Sequence, residues 1–217
     1  MSNETSPQPS PLPTPARPKP SNARMIGLAL LIIVLLPLLR LFVVQPFVIP
    51  TAGMQPTLMA KRKLPDGREL PADHLLVERL SLLFRAPARG DIVVYKTKGI
   101  THPSVPQDQL CIKRVVGIPG DRIRMEAPGV RVNGPLLTEP EIFRKIAACT
   151  NGHSGYSALG HYGVAGEEEL RENEYYVAGD NGNNSLDSRY FGPIRRKQII
   201  GRAWFIYFPA RRIGAPE

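Results

Sequence analysis

Cys111-Ile-Lys-Arg-Val-Val116, closed by Gly-Ile-Pro-Gly-Asp121, is the stretch on which the fold turns. Successive side chains of an extended strand point to opposite faces. Cys111, Lys113 and Val115 therefore share one face, and Ile112, Arg114 and Val116 the other. One face must turn a cation toward a core or a cleft. A lysine can lose its proton there, whereas a guanidinium in practice cannot. A desolvated, neutral Lys113 would be a competent general base. Alternation alone does not decide which face is inward.

Outward from that strand the pattern repeats. His74-Leu-Leu-Val-Glu78, Asp91-Ile-Val-Val-Tyr95, Val130-Arg-Val132, Tyr175-Tyr-Val-Ala178 and Ala203-Trp-Phe-Ile-Tyr-Phe208 are short, β-branched or aromatic, and bounded by Gly, Pro or Asp. No long amphipathic helix lies among them. The spacing predicts a mainly β domain over residues 46–217, with a less patterned, irregular insertion at about 138–171 that carries the acidic run Glu167 to Glu169.

The N-terminal part reads differently. Residues 1–24 are rich in Ser, Pro and Asn and are expected to be a disordered tail. From Ile26 to Leu39 no charge interrupts an apolar run, and Leu41-Phe-Val-Val44 continues it past Arg40. About 20 residues cross a bilayer, so a transmembrane helix is expected over residues 25–45. Arg40 would snorkel to one interface, and Pro37 is tolerable in a membrane. A cleaved signal fits less well, since the leading tail is long and no small-x-small site follows. A core helix fits less well again, because the run is apolar all round. Arg17, Lys19 and Arg24 precede the run against Glu4 alone, which keeps the tail cytoplasmic and exports the large domain to the periplasm or cell exterior.

The net charge of +9 comes from scattered Lys and Arg, with no nucleic-acid motif beside them, so a nucleic-acid partner is not expected. The longest basic run, Arg195-Arg196-Lys197, reads as a solvated turn or a contact to anionic membrane lipid. Two cysteines exclude a disulfide framework and leave a zinc site short of ligands, while a single Cys111–Cys149 bridge stays open. Oligomeric state is not fixed by the sequence.

Four segments merit comparison with catalytic machinery: Ile49-Pro-Thr-Ala-Gly-Met-Gln-Pro-Thr-Leu58, Arg89-Gly-Asp-Ile-Val-Val-Tyr95, Lys113-Arg-Val-Val-Gly-Ile-Pro-Gly-Asp121 and Gly179-Asp-Asn-Gly-Asn-Asn-Ser-Leu-Asp-Ser-Arg189. Each alone reads as a turn beside a strand, with Asp187 and Arg189 able to form a structural ion pair. In order, behind an apolar span, they resemble the type I signal peptidases from about Arg40 to Gly192. The order is more specific than any single motif.

That resemblance implies a membrane helix followed by an exported, mainly antiparallel β domain that cleaves signal peptides from exported preproteins. It also implies a serine/lysine dyad with no metal or organic cofactor. Lys113 matches the general base, Thr51 the hydroxyl of the oxyanion hole, and Ser185 the hydroxyl that orients the lysine. Asp180, Asp187 and Arg189 match residues that hold the site together. Phe47, Ile49, Pro50, Met54, Leu58 and Ile112 match positions lining the small pockets for Ala-x-Ala-type sites, where an extended substrate adds to a strand edge. Gly182 stands where the family usually has Arg, a change expected to weaken local packing. Gly53 stands at the nucleophile.

With no side chain at 53, Lys113 has no hydroxyl to activate. Thr51, two residues along an extended strand, would lie about 6.5 Å away, too far to substitute. The chain as written is therefore expected to recognise signal peptides without cleaving them. It is either a peptidase that has lost its serine or a natural pseudo-peptidase serving as a membrane-anchored binding or assembly factor.

Overall fold

The structure, a computed structural model, describes residues 22–42, 44–164 and 166–216. The expected tail over residues 1–21 lies outside the described residues. Contacts divide the chain into two units, Met1–Leu38 and Leu39–Glu217.

Helix α1 (Asn22–Phe42) is 21 residues long and contains Pro37. It takes in Asn22 to Arg24, which the sequence assigns to the tail, because nothing in Asn-Ala-Arg stops a helix. It ends before Val44 and Gln45, which the sequence places in the helix and which instead pair as a strand. Large apolar side chains from Met25 to Leu36 are exposed on successive positions. Among the described residues no helix is long and apolar enough to cross a membrane.

The second unit is built on β1 (Val44–Val48), β2 (Arg62–Lys63), β3 (Glu69–Leu70), β4 (His74–Glu78), β5 (Ile92–Lys96), β6 (Leu110–Gly117), β7 (Arg122–Glu126), β8 (Gly129–Val132), β9 (Glu167–Glu169), β10 (Glu174–Ala178), β11 (Ile194–Arg195) and β12 (Ile199–Phe208). Short helices α2 (Ser81–Phe84), α3 (Glu141–Ala147), α4 (His161–Val164) and α5 (Ser188–Phe191) fill the connections. The main antiparallel sheet runs β1-β4-β12-β5-β6-β10-β11, and a smaller one runs β8-β7-β9.

Strand β6 lies inside the main sheet, and apolar clusters cover both of its faces. Ile112 packs with Leu75 and Val94, and Val116 with Ile123 and Phe143. Val115, on the other face, packs with Val93, Tyr95 and Val177. The choice posed by the sequence therefore disappears: Lys113 and Arg114 are both buried, at 6% and 3% exposure.

Segment 138–171 has more order than its composition suggests. Phe143 and Ile146 of α3 pack in one cluster with Val130 and Val132 of β8. The acidic run becomes β9 because β7 sets arginines opposite it, Arg124 across from Glu167 and Arg122 across from Glu169. Opposite charges facing each other across a pair favour that register. Cys111 is half-buried, Cys149 is exposed, and both are free thiols, so the open question of a bridge is answered by its absence.

Phe143 is 1% exposed and joins α3 to the small sheet. Phe143→Ala is expected to cost about 3–5 kcal/mol, read as a lower denaturant midpoint with an unchanged slope.

Candidate active site

Beyond β1 the chain makes one 3-10 turn, Ala52–Met54, with Thr51 extended ahead of it. The strand spacing expected between Thr51 and Gly53 therefore does not apply, since a turn separates them. Thr51 is exposed, and its side chain makes no capping bond to the turn. Asn181 clamps this turn through its backbone: its N–H donates to the Gly53 carbonyl at 3.2 Å, and its Nδ2 to the Ala52 carbonyl at 3.1 Å.

A Cβ placed on Gly53 would lie 3.1 Å from Lys113 Nζ and 3.5 Å from Ser185 Oγ. Positions 53, 113 and 185 thus surround one point, though 132 residues separate the first from the last. The Ser185 hydroxyl is buried and has no hydrogen-bond partner among the described residues. Gly179 allows this closure, because a Cβ there would strike both Ser185 Oγ and the Gly53 carbonyl.

Burial pushes the Lys113 amine below the ordinary lysine pKa. Asp187, Cys111 and Asp180 oppose that shift, but less strongly than burial drives it. Both aspartates are committed elsewhere. Asp187 accepts from Arg189 Nε and Nη2, each at 2.8 Å, and from the Gly179 N–H at 2.9 Å. Asp180 accepts from Arg114 Nε at 2.8 Å and Nη2 at 2.7 Å, and also from the Thr57 hydroxyl. Lys113 therefore sits in an environment that favours its neutral form.

The four sequence segments interlock through buried polar bonds. Thr57 of the first reaches Asp180 of the fourth, which holds Arg114 of the third. Arg114 Nη1 donates to the Gly90 carbonyl of the second at 2.7 Å. Arg89 closes the set by pairing with Asp121 at 2.8 Å. Sequence reasoning assigned no role to Thr57, Arg114 or Asn181. The signal present was Arg114 beside Lys113, a second cation on a strand that needed a buried partner.

Ile49, Met54, Leu58 and Ile112 are buried in one apolar cluster with Phe47 packed against it, and Pro50 is exposed. Their alternative was to remain solvated, and packing against Leu75 and Ile206 removes that apolar surface from water. Gly182 does not loosen its surroundings. A side chain there would run into the Gly155 carbonyl, and the Gly182 carbonyl accepts from Arg189 Nη1 at 2.6 Å. Asp187 and Arg189 do form the anticipated pair, but Arg189 also donates to the Ser185 carbonyl, so it fixes the loop that carries the serine.

Part of the β6 edge up to Lys113 has no second strand partner among the described residues. On β6, Arg114, Val115 and Gly117 pair with β10, while Leu110 to Lys113 pair only with β5 among the described residues.

An antiparallel β domain closes a desolvated lysine and a buried serine around one turn. The chain belongs to the signal peptidase, peptidase S26, family, whose description matches residues 22–208. It is 32% identical over 176 residues to the probable signal peptidase I-2 of Synechocystis sp., covering 81% of this chain and 68% of that one. Against the signal peptidase I of Leptolyngbya laminosa it is 32% identical over 177 residues, covering 81% and 74%. Against signal peptidase I V of Bacillus subtilis it is 34% identical over 129 residues, covering 59% and 71%.

Arg189 is wholly buried and its charge is met by Asp187. Removing one partner strands the other charge, which costs about 3–5 kcal/mol. Arg189→Ala is expected to lower stability by that amount in equilibrium unfolding; a loss under 1 kcal/mol would show that the pair does not hold the loop.

Proposed function

We propose that this chain recognises signal-peptide segments of exported preproteins in a preformed peptidase cleft, and that Gly53 alone withholds cleavage. The observation that carries this reading is the point in space that a serine Cβ would occupy, beside Lys113 Nζ and Ser185 Oγ. The 3.1 Å approach to Lys113 is tight but involves the mobile end of a long side chain, and the other neighbours lie at ordinary contact distance. The Gly53 backbone is outside the left-handed region, so a serine fits without strain.

In this reading Lys113 is the general base, Ser185 orients it, Thr51 completes the oxyanion hole, and Asp180, Asp187 and Arg189 hold the loops. The substrate strand docks on the open edge of β6, and Phe47 and Pro50 form the accessible part of its bed. Ile49, Met54, Leu58 and Ile112 form the apolar floor beneath it. The domain arrangement is an N-terminal tail, an anchor on α1 and an exported domain that begins at β1. What supports the anchor is the charge-free run from Ile26 to Leu39 and the uncovered apolar side chains of α1, which lipid would cover. Arg17, Lys19 and Arg24 support a cytoplasmic N-terminus.

The second reading, a pseudo-peptidase that binds without cutting, rests on the same glycine. The intact surroundings favour a cleft in which only the nucleophile is missing over one remodelled for another task.

The test is cleavage of an Ala-x-Ala preprotein in detergent micelles by this chain, by Gly53→Ser and by Gly53→Ser with Lys113→Ala. The serine variant is expected to gain at least about a thousandfold in turnover, and the double variant to lose that gain. Cutting by the chain as written at a rate near that of the serine variant would refute the assignment of position 53.

The pH profile follows from the same geometry. Lys113 must be neutral to accept a proton, and its pKa is lowered. Activity of Gly53→Ser is therefore expected to rise with pH through a midpoint below the ordinary lysine value of about 10.4, and to be lost as pH falls through that midpoint. A midpoint at or above the ordinary value would exclude a desolvated base.

A further inference from the structure

A cavity of about 490 Å³ is lined in part by Thr57, and its wall includes Lys145, His153, Arg211 and Arg212. No carboxylate is among its lining residues within the described part of the chain. Arg212 is already engaged, donating to Asp73 at 2.8 and 3.0 Å and to the Thr57 carbonyl at 2.7 Å. Among the described residues Lys145 pairs only with the exposed Glu141, at 3.5 Å, and Arg211 is exposed. The hollow is thus lined by cations whose compensation is partial.

His153 is the group without an explanation. It is 7% exposed, and its Nδ1 is buried with no hydrogen-bond partner among the described residues. An unpaired buried ring nitrogen is costly unless something fills the site. Burial lowers its pKa; the Asp180 carboxylate and main chain raise it, and Arg114 and Lys145 lower it further. A ligand that brings negative charge and several acceptor oxygens would satisfy the lysine, the arginine fork and a protonated imidazole together. The volume is ample for a phosphate group with a substituent.

We infer that this cavity is an anion site for a phosphate group, and that filling it is linked to proton uptake by His153. The same chemistry is offered by a soluble phosphate compound and by a phospholipid headgroup. Thr57 belongs both to the cavity wall and to the Asp180 network, so the site shares a residue with the framework around Lys113.

The experiment is calorimetric titration of the full chain in detergent micelles at constant ionic strength. Inorganic phosphate at one pH tests the cations; dimethyl phosphate, whose single charge is constant, tests the proton linkage between pH 8 and pH 6. Saturable binding is expected, at least about tenfold weaker in Lys145→Ala/Arg211→Ala and severalfold tighter at pH 6 than at pH 8. His153→Gln is expected to remove the pH dependence, with thermal unfolding used to verify that each variant folds. Displacement of the bound probe by phosphatidylglycerol vesicles, but not by phosphatidylcholine vesicles, assigns a lipid source; saturable binding without displacement assigns a soluble one. Absence of saturable binding at both pH values, or binding that the double variant leaves unchanged, overturns the site. A pH dependence that survives His153→Gln overturns the linkage.

Discussion

The rest of the domain depends on the buried pair of Arg114 and Asp180, two charges with almost no solvent contact, joined by two parallel hydrogen bonds. Burying them is expensive, and their attraction offsets that cost only while the geometry is held. Holding it requires the neighbours. Gly90 supplies a carbonyl to the guanidinium, and Thr57 supplies a hydroxyl to the carboxylate. Burial alone would lower the Arg114 pKa, and Asp180 more than reverses this, so the arginine stays charged. The pair is therefore weak evidence for net stability and strong evidence for register. Strand β6, the loop after β10 and the turn after β1 cannot slide past one another without stranding a charge.

That constraint explains how two adjacent cations on one strand take different roles. Arg114 is buried with a matched carboxylate and is a fixed structural charge. Lys113, one residue earlier, is buried among carboxylates already bound to arginines, so desolvation prevails and its neutral form gains. The same fold makes one cation permanent and the other titratable. Only a lysine can be the titratable one, since an arginine would keep its proton at any relevant pH.

Much of the strand framework was legible because period-two alternation survives in short runs. His74–Glu78 coincides with β4, and the runs around Asp91, Cys111, Tyr175 and Ala203 each fall within a residue to a few residues of an observed strand. Strand β7 was missed although Arg-Ile-Arg-Met-Glu alternates cleanly, because its charges outnumber its apolar residues and its partners had not been recognised. Strand β9 was not legible at all. Three glutamates have no intrinsic preference for a strand, and only the arginines opposite them supply one. At the site, positions 53, 113 and 185, which the structure brings together, were singled out by motif order, but Asn181 and Arg114 act through main-chain carbonyls and a distant carboxylate, contacts that no local spacing encodes. The apolar positions at 49, 54, 58 and 112 were assigned to pockets for the same reason: whether a hydrophobic residue lines a cleft or a core depends on what packs over it.

Position 53 differs from the others in what the fold asks of it. Asn181 grips the carbonyls of Ala52 and Gly53, and the turn closes by main-chain bonds, so no structural contact uses a side chain at 53. At 187, 189 or 114, by contrast, the side chain is itself the structural contact, and losing it leaves a buried charge unmatched. Gly179 and Gly182 are constrained in the opposite direction, since any side chain there would enter space held by Gly53, Ser185 or Gly155. Chemistry and architecture are thus separable at one position of this site and inseparable at the rest. With glycine at 53 the lysine and the serine keep their places, because neither is held there by a side chain at that position.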